Sequence, residues 1–292
     1  MVTVGEYVER ASAVFDGAEL FYGHGTDNAF DEAVYLVFAT LDIAFDDPGA
    51  YSRVIARDEC DLLDSRVADR VEKHTPVAYL VGQSWFCGMR FIADARALIP
   101  RSPLAELIAE GCAPFVSHTP ERILDLCCGG GCIGILAAHQ FPLARVDLAD
   151  LSADALALAR ENVSLHTLAD RVSLRQSNLF EALEGRYDLM LSNPPYVPLE
   201  EVLELPPEYS HEPSLGLISE DDGLAIPLQI LREAPDYLSD GGVLVMEVGY
   251  SVEKRSARLA QVHIRWLEFA HGGEGVLAKT RDELHRYRDR FN

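Results

Sequence analysis

The chain has 292 residues, 48% hydrophobic and 25% charged, which suits a globular protein with one large and one smaller domain and excludes fibrous and disordered classes. A formal net charge of −22 argues against a surface built for the phosphate backbone of nucleic acid and suits a basic protein partner. No apolar run reaches the roughly 20 residues that span a bilayer, and the N-terminus lacks a signal pattern. The expectation is therefore a cytoplasmic protein without a membrane partner. Its six cysteines, with Cys127, Cys128 and Cys132 crowded together, read as free thiols.

The first eighty residues show apolar residues at helical spacing: Val4, Val8, Ala11 and Phe15, then Phe30, Val34, Val37, Phe38 and Leu41, then Leu63, Val67 and Val71. This predicts a small helical domain over residues 1–82. The break "FYGHGTDN" between the first two helices reads as a loop leading to a cap at Asn28, with His24 held by local hydrogen bonds. Aromatic and branched residues around the turn signal Cys87-Gly88 predict a β-hairpin linker over 83–99. In "IPRSPLAELIAEG", Ser102 is a cap, Pro103 suits the first helical turn, and Gly111 marks the end.

From residue 100 onward, strand-like segments at 122–127, 144–150, 172–177, 187–192 and 242–248 alternate with helical or connecting segments. The clearest helix is "SADALALARENVSLH". Such alternation implies a parallel sheet covered on both faces. The last two strand-like segments, "HIRWLEFA" and "GVLAKT", are joined by a short turn and so should pair antiparallel.

Two motifs carry the chemistry. The first strand runs into "DLCCGGGCIG", in which Gly129, Gly131 and Gly134 fit a G-x-G-x-x-G pattern, with Asp150 about twenty residues on. The pattern alone suits a nicotinamide enzyme equally well. A glycine turn lets a ligand approach the backbone, and an acid at the second strand's end can accept ribose hydroxyls, so any adenosyl cofactor can use it. The second motif, "NPPY" at Asn193 to Tyr196, ends the fourth strand. In an open α/β sheet, ligands bind beyond the carboxyl ends of the strands at the switch point, so this turn faces the cofactor. Proline lacks an N–H and fixes φ, which stiffens the turn and leaves the Pro194 carbonyl free. With the Asn193 side-chain oxygen, it offers two acceptors for the two hydrogens of a planar NH₂ group.

A strand-end NPPY after a glycine loop introduced by Asp125 resembles the S-adenosylmethionine-dependent methyltransferases of amide and exocyclic nitrogens. The motifs leave DNA, RNA and protein substrates open. The stretches "FYGHGTDNAFDEAV", "TPVAYLVGQSWFCGMRF", "IPRSPLAELI", "EYSHEPSLGLIS" and "WLEFAHGGEGV" resemble the bacterial N5-glutamine methyltransferases that modify large-subunit ribosomal protein L-three, over nearly the whole chain. The sister family acting on peptide release factors typically carries "PRPETE" where this chain has "IPRSPLAEL".

The resemblance implies a Rossmann-like class I methyltransferase domain over 100–292, with a seven-stranded, mostly parallel sheet whose last strand is antiparallel. It implies S-adenosylmethionine contacts at Asp125, Cys127, Gly129, Gly131, Asp150, Asn178, Leu179 and Asn193, and a catalytic turn of Asn193, Pro194, Pro195 and Tyr196. Two positions depart from the wider family: Cys127 stands at the first loop glycine, and Asn178 stands where an aspartate is usual. The remaining alternatives are a release-factor enzyme, a nucleic-acid amino methyltransferase and a non-catalytic assembly factor. No metal is expected, because the cysteines lack paired spacing.

Overall fold

The structure, a computed structural model, describes residues 2–116, 118–249, 262, 264, 266–270 and 273–291. Four helices open the chain: α1 (Val4–Asp16), α2 (Ala29–Thr40), α3 (Arg57–Lys73) and α4 (Val77–Val81). Thr3 and Glu6 form a reciprocal capping box on α1, and the Asn28 side chain caps α2 as its loop sequence suggests. Val4, Val8, Ala11 and Phe15 are all buried in a core shared with Ala33, Leu36, Val37 and Leu63. Phe30 departs from expectation. It is 46% exposed, because Ala33, Leu36 and Val37 set the buried face of α2 and Phe30, in the first turn, falls to one side of it.

The hairpin β1 (Gln83–Phe86) and β2 (Met89–Ile92) turns at Cys87 and Gly88, both with positive φ, as a two-residue loop between right-twisted strands requires. Its two faces serve different cores. Trp85 packs against the helical cluster, whereas Phe86 and Phe91 join the core of the main sheet.

After α5 (Leu104–Ala109) come β3 (Arg122–Leu126), α6 (Cys132–Gln140), β4 (Arg145–Asp150), α7 (Ala153–Leu165), β5 (Val172–Gln176) and β6 (Tyr187–Ser192). A short helix α8 (Leu199–Val202), then α9 (Ala225–Tyr237), β7 (Leu238–Glu247), β8 (Val276–Thr280) and a final helix Arg281–Tyr287 complete the order. The sheet order is β5-β4-β3-β6-β7-β8, parallel except for β8, which runs antiparallel to β7. The expected seventh strand is represented among the described residues by one antiparallel bridge, Trp266 to Leu277; His263, Arg265, His271 and Gly272 of that segment and its turn lie outside them.

Period-two patterning divides the sheet's side chains between two cores. Leu189, Leu191, Val243 and Val245 meet α6 and α7 on one face, and Met190, Leu244 and Met246 meet α9 on the other. The order in which strands are added reverses between β3 and β6: β4 and β5 are laid down on one side, β7 and β8 on the other. That boundary is the switch point at which an open α/β sheet leaves a crevice.

Candidate active site

Leu126 and Ser192 are register partners at the ends of β3 and β6, and the Ser192 hydroxyl donates to the Leu126 carbonyl at 2.7 Å. Cys127 and Asn193 therefore leave the sheet side by side. A cavity of about 410 Å³ lies beyond them, within the range of small-molecule sites. Cys127, Gly129 and Asp150 line it from the β3–β4 side, Asn178 and Leu179 from the end of β5, and Asn193, Pro194, Pro195 and Tyr196 from the end of β6. Two of the expected cofactor residues, Asp125 and Gly131, are not on its wall.

Asp125 is fully buried behind the loop, where Oδ2 accepts the Gly134 N–H at 2.8 Å and Oδ1 has no partner among the described residues. Gly134 is the third glycine of the pattern, and a Cβ there would stand 2.2 Å from Leu148 and 2.9 Å from the Asp125 Cβ. Its absence of a side chain is what lets α6 close onto β3 and β4. The other loop positions need unusual backbone. Gly129 and Gly131 have φ of +52° and +83°, and Cys127 has φ of +60°. Cys127 thus occupies a left-handed conformation that favours glycine, which accounts for glycine being usual there in the wider family.

Asp150 spans the loop. Its Oδ2 accepts from Gly129 N and its Oδ1 from Ser152 N, each at 2.8 Å. Burial pushes its carboxyl above the usual range. Asn178 donates to Glu181 at 2.9 Å, and Leu179, with φ of +48°, presents an apolar wall.

Burial, with a smaller push from the Asp150 charge, raises the Asp125 carboxyl to about 8. A carboxyl raised on folding holds its proton more tightly in the folded state, so its contribution to stability is full below about pH 4 and is lost as pH rises toward about 8. Asp125→Asn, which stays neutral, is expected to raise the melting temperature relative to wild type more at pH 9 than at pH 5. Equal shifts at the two pH values would show that Asp125 carries no buried proton.

In the NPPY turn both prolines are buried, and the Asn193 side chain makes no hydrogen bond to any of the described residues. Among the described residues, nothing occupies its amide ahead of a ligand. Tyr196 Oη donates to Glu247 Oε1 at 2.8 Å, and Glu247 also lines the cavity.

Sequence reasoning missed Glu247, Tyr209 and Leu217 on the wall. Glu247 sits at the end of a predicted strand and so could have been suspected from topology. The other two are set by a loop whose path no pattern announces. His211 and Glu212, in the same loop, are not on the wall. His211 Nε2 meets the Lys73 carbonyl at 2.8 Å, and Glu212 is buried beneath the wall.

Arg101, which does line the cavity, grips both Glu212 oxygens at 2.6 Å. Burial opposes the Glu212 charge, but His24 and Arg101 outweigh it and bring the carboxyl down to about 2. His24 was expected to bond within its own loop. Instead its Nε2 lies 3.6 Å from Glu212 Oε2 and its ring packs 4.7 Å from that of Tyr209, a tertiary contact that no local pattern encodes.

Residues 108–203, which carry both the glycine loop and the NPPY turn, match the family model "Methyltransferase small domain". The chain is 44% identical over 290 residues to the ribosomal protein uL3 glutamine methyltransferase of Bordetella pertussis, covering 97% of this chain and 96% of that protein. It is 46% identical over 286 residues to the protein of the same name from Xanthomonas campestris pv. campestris, covering 97% and 92%. The chain belongs to this family. It is thus a methyltransferase. The hMettl16 catalytic domain, solved with an RNA hairpin, shares the fold at 17% identity and a TM-score of 0.53, covering 84% of this chain and 88% of that one.

Proposed function

We propose that this protein transfers a methyl group from S-adenosylmethionine to the side-chain amide nitrogen, N5, of a glutamine in uL3, the large-subunit ribosomal protein L-three. The observation that carries this reading is an Asn193 amide without a hydrogen bond to any described residue, beside a glycine loop in one cavity, in a chain so similar to enzymes named as uL3 glutamine methyltransferases. The residues fit the cofactor. Gly129 puts bare backbone on the wall, Leu179 supplies an apolar face for an adenine, and Asp150 retains lone pairs for ribose hydroxyls. When bound, S-adenosylmethionine supplies an electrophilic methyl group. The protein's task is to aim a poor nucleophile at it, because the amide lone pair is delocalised into the carbonyl. Asn193 Oδ1 and the Pro194 carbonyl, accepting both N–H bonds, orient the nitrogen and favour the positive charge that develops on it.

Asp125 and Gly131 act at one remove, by shaping the loop. Helices α1 to α4, within residues 1–82, would recognise the protein substrate, with residues 83–99 as the linker and 100–292 as the catalytic domain. A basic cytoplasmic substrate suits the charge of −22. The test is incubation with labelled S-adenosylmethionine and, in parallel, purified uL3, peptide release factors and DNA. Label in uL3 alone is expected; label only in release factors would overturn the substrate assignment.

A further inference from the structure

Tyr196 is held from three sides. Its hydroxyl donates to Glu247 Oε1 at 2.8 Å. A Cβ at Gly249 would stand 2.5 Å from its ring, and a Cβ at Gly223 would stand 2.1 Å from its carbonyl oxygen, so both segments close on it only as glycine. Glu247 in turn accepts the Ser102 hydroxyl on Oε2 at 2.6 Å. One carboxylate thus joins the NPPY turn, the end of β7 and the segment leading into α5. It is 6% exposed and its hydrogen-bond partners among the described residues are two hydroxyls, while the nearby Arg101, whose charge favours the carboxylate, hydrogen-bonds Glu212. Burying a carboxylate whose hydrogen-bond partners are hydroxyls is unfavourable, and a packed apolar pair would hold the same segments at less cost. The arrangement therefore points to a requirement for a fixed Tyr196 ring.

We propose that Glu247 is a positioning residue for methyl transfer, fixing the Tyr196 ring as the wall against which the substrate amide lies beside Asn193. Tyr196, Glu247, Ser102 and Asn193 all border the same cavity. The inference rests on the proposed function, and Glu247 acts through Tyr196, without itself touching the reacting atoms.

The test compares Glu247→Ala, Glu247→Gln, Tyr196→Phe and the Tyr196→Phe/Glu247→Ala double variant in single-turnover methylation of uL3, with cofactor titration for each. Losing a hydrogen bond to a charged group predicts a fall of about tenfold or more for Glu247→Ala and for Tyr196→Phe. The double variant should be no slower than the slower single, because both remove one interaction. Glutamine keeps an acceptor for the tyrosine and a donor for Ser102, so Glu247→Gln should recover the rate to within about threefold of wild type. Cofactor affinity should stay constant. Additive losses would overturn the proposal, and so would a glutamine variant as slow as alanine, which would mean that the carboxylate acts by charge.

A second readout needs no substrate. In protein labelled with 3-fluorotyrosine, the fluorine resonance absent from Tyr196→Phe belongs to Tyr196; it should shift in Glu247→Ala and hold its position in Glu247→Gln. A resonance unmoved by Glu247→Ala would refute the positioning role. If wild-type enzyme leaves uL3 unlabelled, the substrate reading fails while this resonance still decides the role of Glu247.

Discussion

Asn193→Ala is expected to slow single-turnover methyl transfer by about 10²–10³, the usual effect of removing one preorganised polar contact to a developing charge. Cofactor affinity should barely change. The two parts separate because the loop that would hold the cofactor is built from β3 and β4, with Asp150 bonding Gly129 and Ser152, and none of these bonds involves Asn193. Ser192, one residue earlier, ties the β6 end to Leu126 and should keep the turn in place when the asparagine side chain is cut back. Asn193→Asp should be milder, since a carboxylate still accepts hydrogen bonds, although its charge must be desolvated in the cavity. The measurement is transfer to uL3 beside calorimetric titration of S-adenosylmethionine. An alanine variant within about threefold of wild type would contradict the two-acceptor arrangement. Loss of cofactor binding as well would assign Asn193 to the cofactor or to the fold.

How far the sequence leads depends on the range of the interaction. Strands β3, β4, β5 and β6 begin and end within about a residue of expectation, because continuous apolar residues in β3 and β6, and apolar residues at alternate positions in β4 and β5, stand between polar or turn-forming residues, and both signals are local. The cavity was legible for a related reason. A glycine loop and a proline turn mark the ends of two strands, and the switch-point rule brings those ends together. What escaped is what depends on distant partners. His24 and Glu212 are 188 positions apart, Arg70 meets Glu208 across 138, and Ser102 meets Glu247 across 145; no periodicity links such pairs. The placement of Asp125 escaped for another reason. A motif tells which residue types are required but not on which side of the loop they stand, and here the carboxylate faces α6, away from the cavity.

Asp150 is the residue whose loss should most weaken the cofactor. Its two oxygens already hold the loop through Gly129 N and Ser152 N, yet a carboxylate offers about four lone-pair directions, so two remain for ribose hydroxyls. Asp150→Ala should cost about 1.5–3 kcal/mol of S-adenosylmethionine affinity, the range for hydrogen bonds to a charged group, or about 10–150-fold in Kd. The alanine variant also releases two backbone N–H groups, so loop collapse could mimic a lost ligand contact. Asp150→Asn separates the two. Its single carbonyl oxygen can keep one backbone bond while the amide nitrogen can only donate, toward hydroxyl oxygens that can accept. The asparagine variant should therefore fall between wild type and alanine in affinity, with a melting temperature above that of alanine. Tight binding by Asp150→Ala would remove Asp150 from the cofactor site, and equal losses of affinity and melting temperature in both variants would make it a loop anchor alone. Because Asp150 lies across the switch point from the NPPY turn, either variant saturated with cofactor should regain a transfer rate close to wild type, a recovery that raising the cofactor concentration cannot produce in Asn193→Ala.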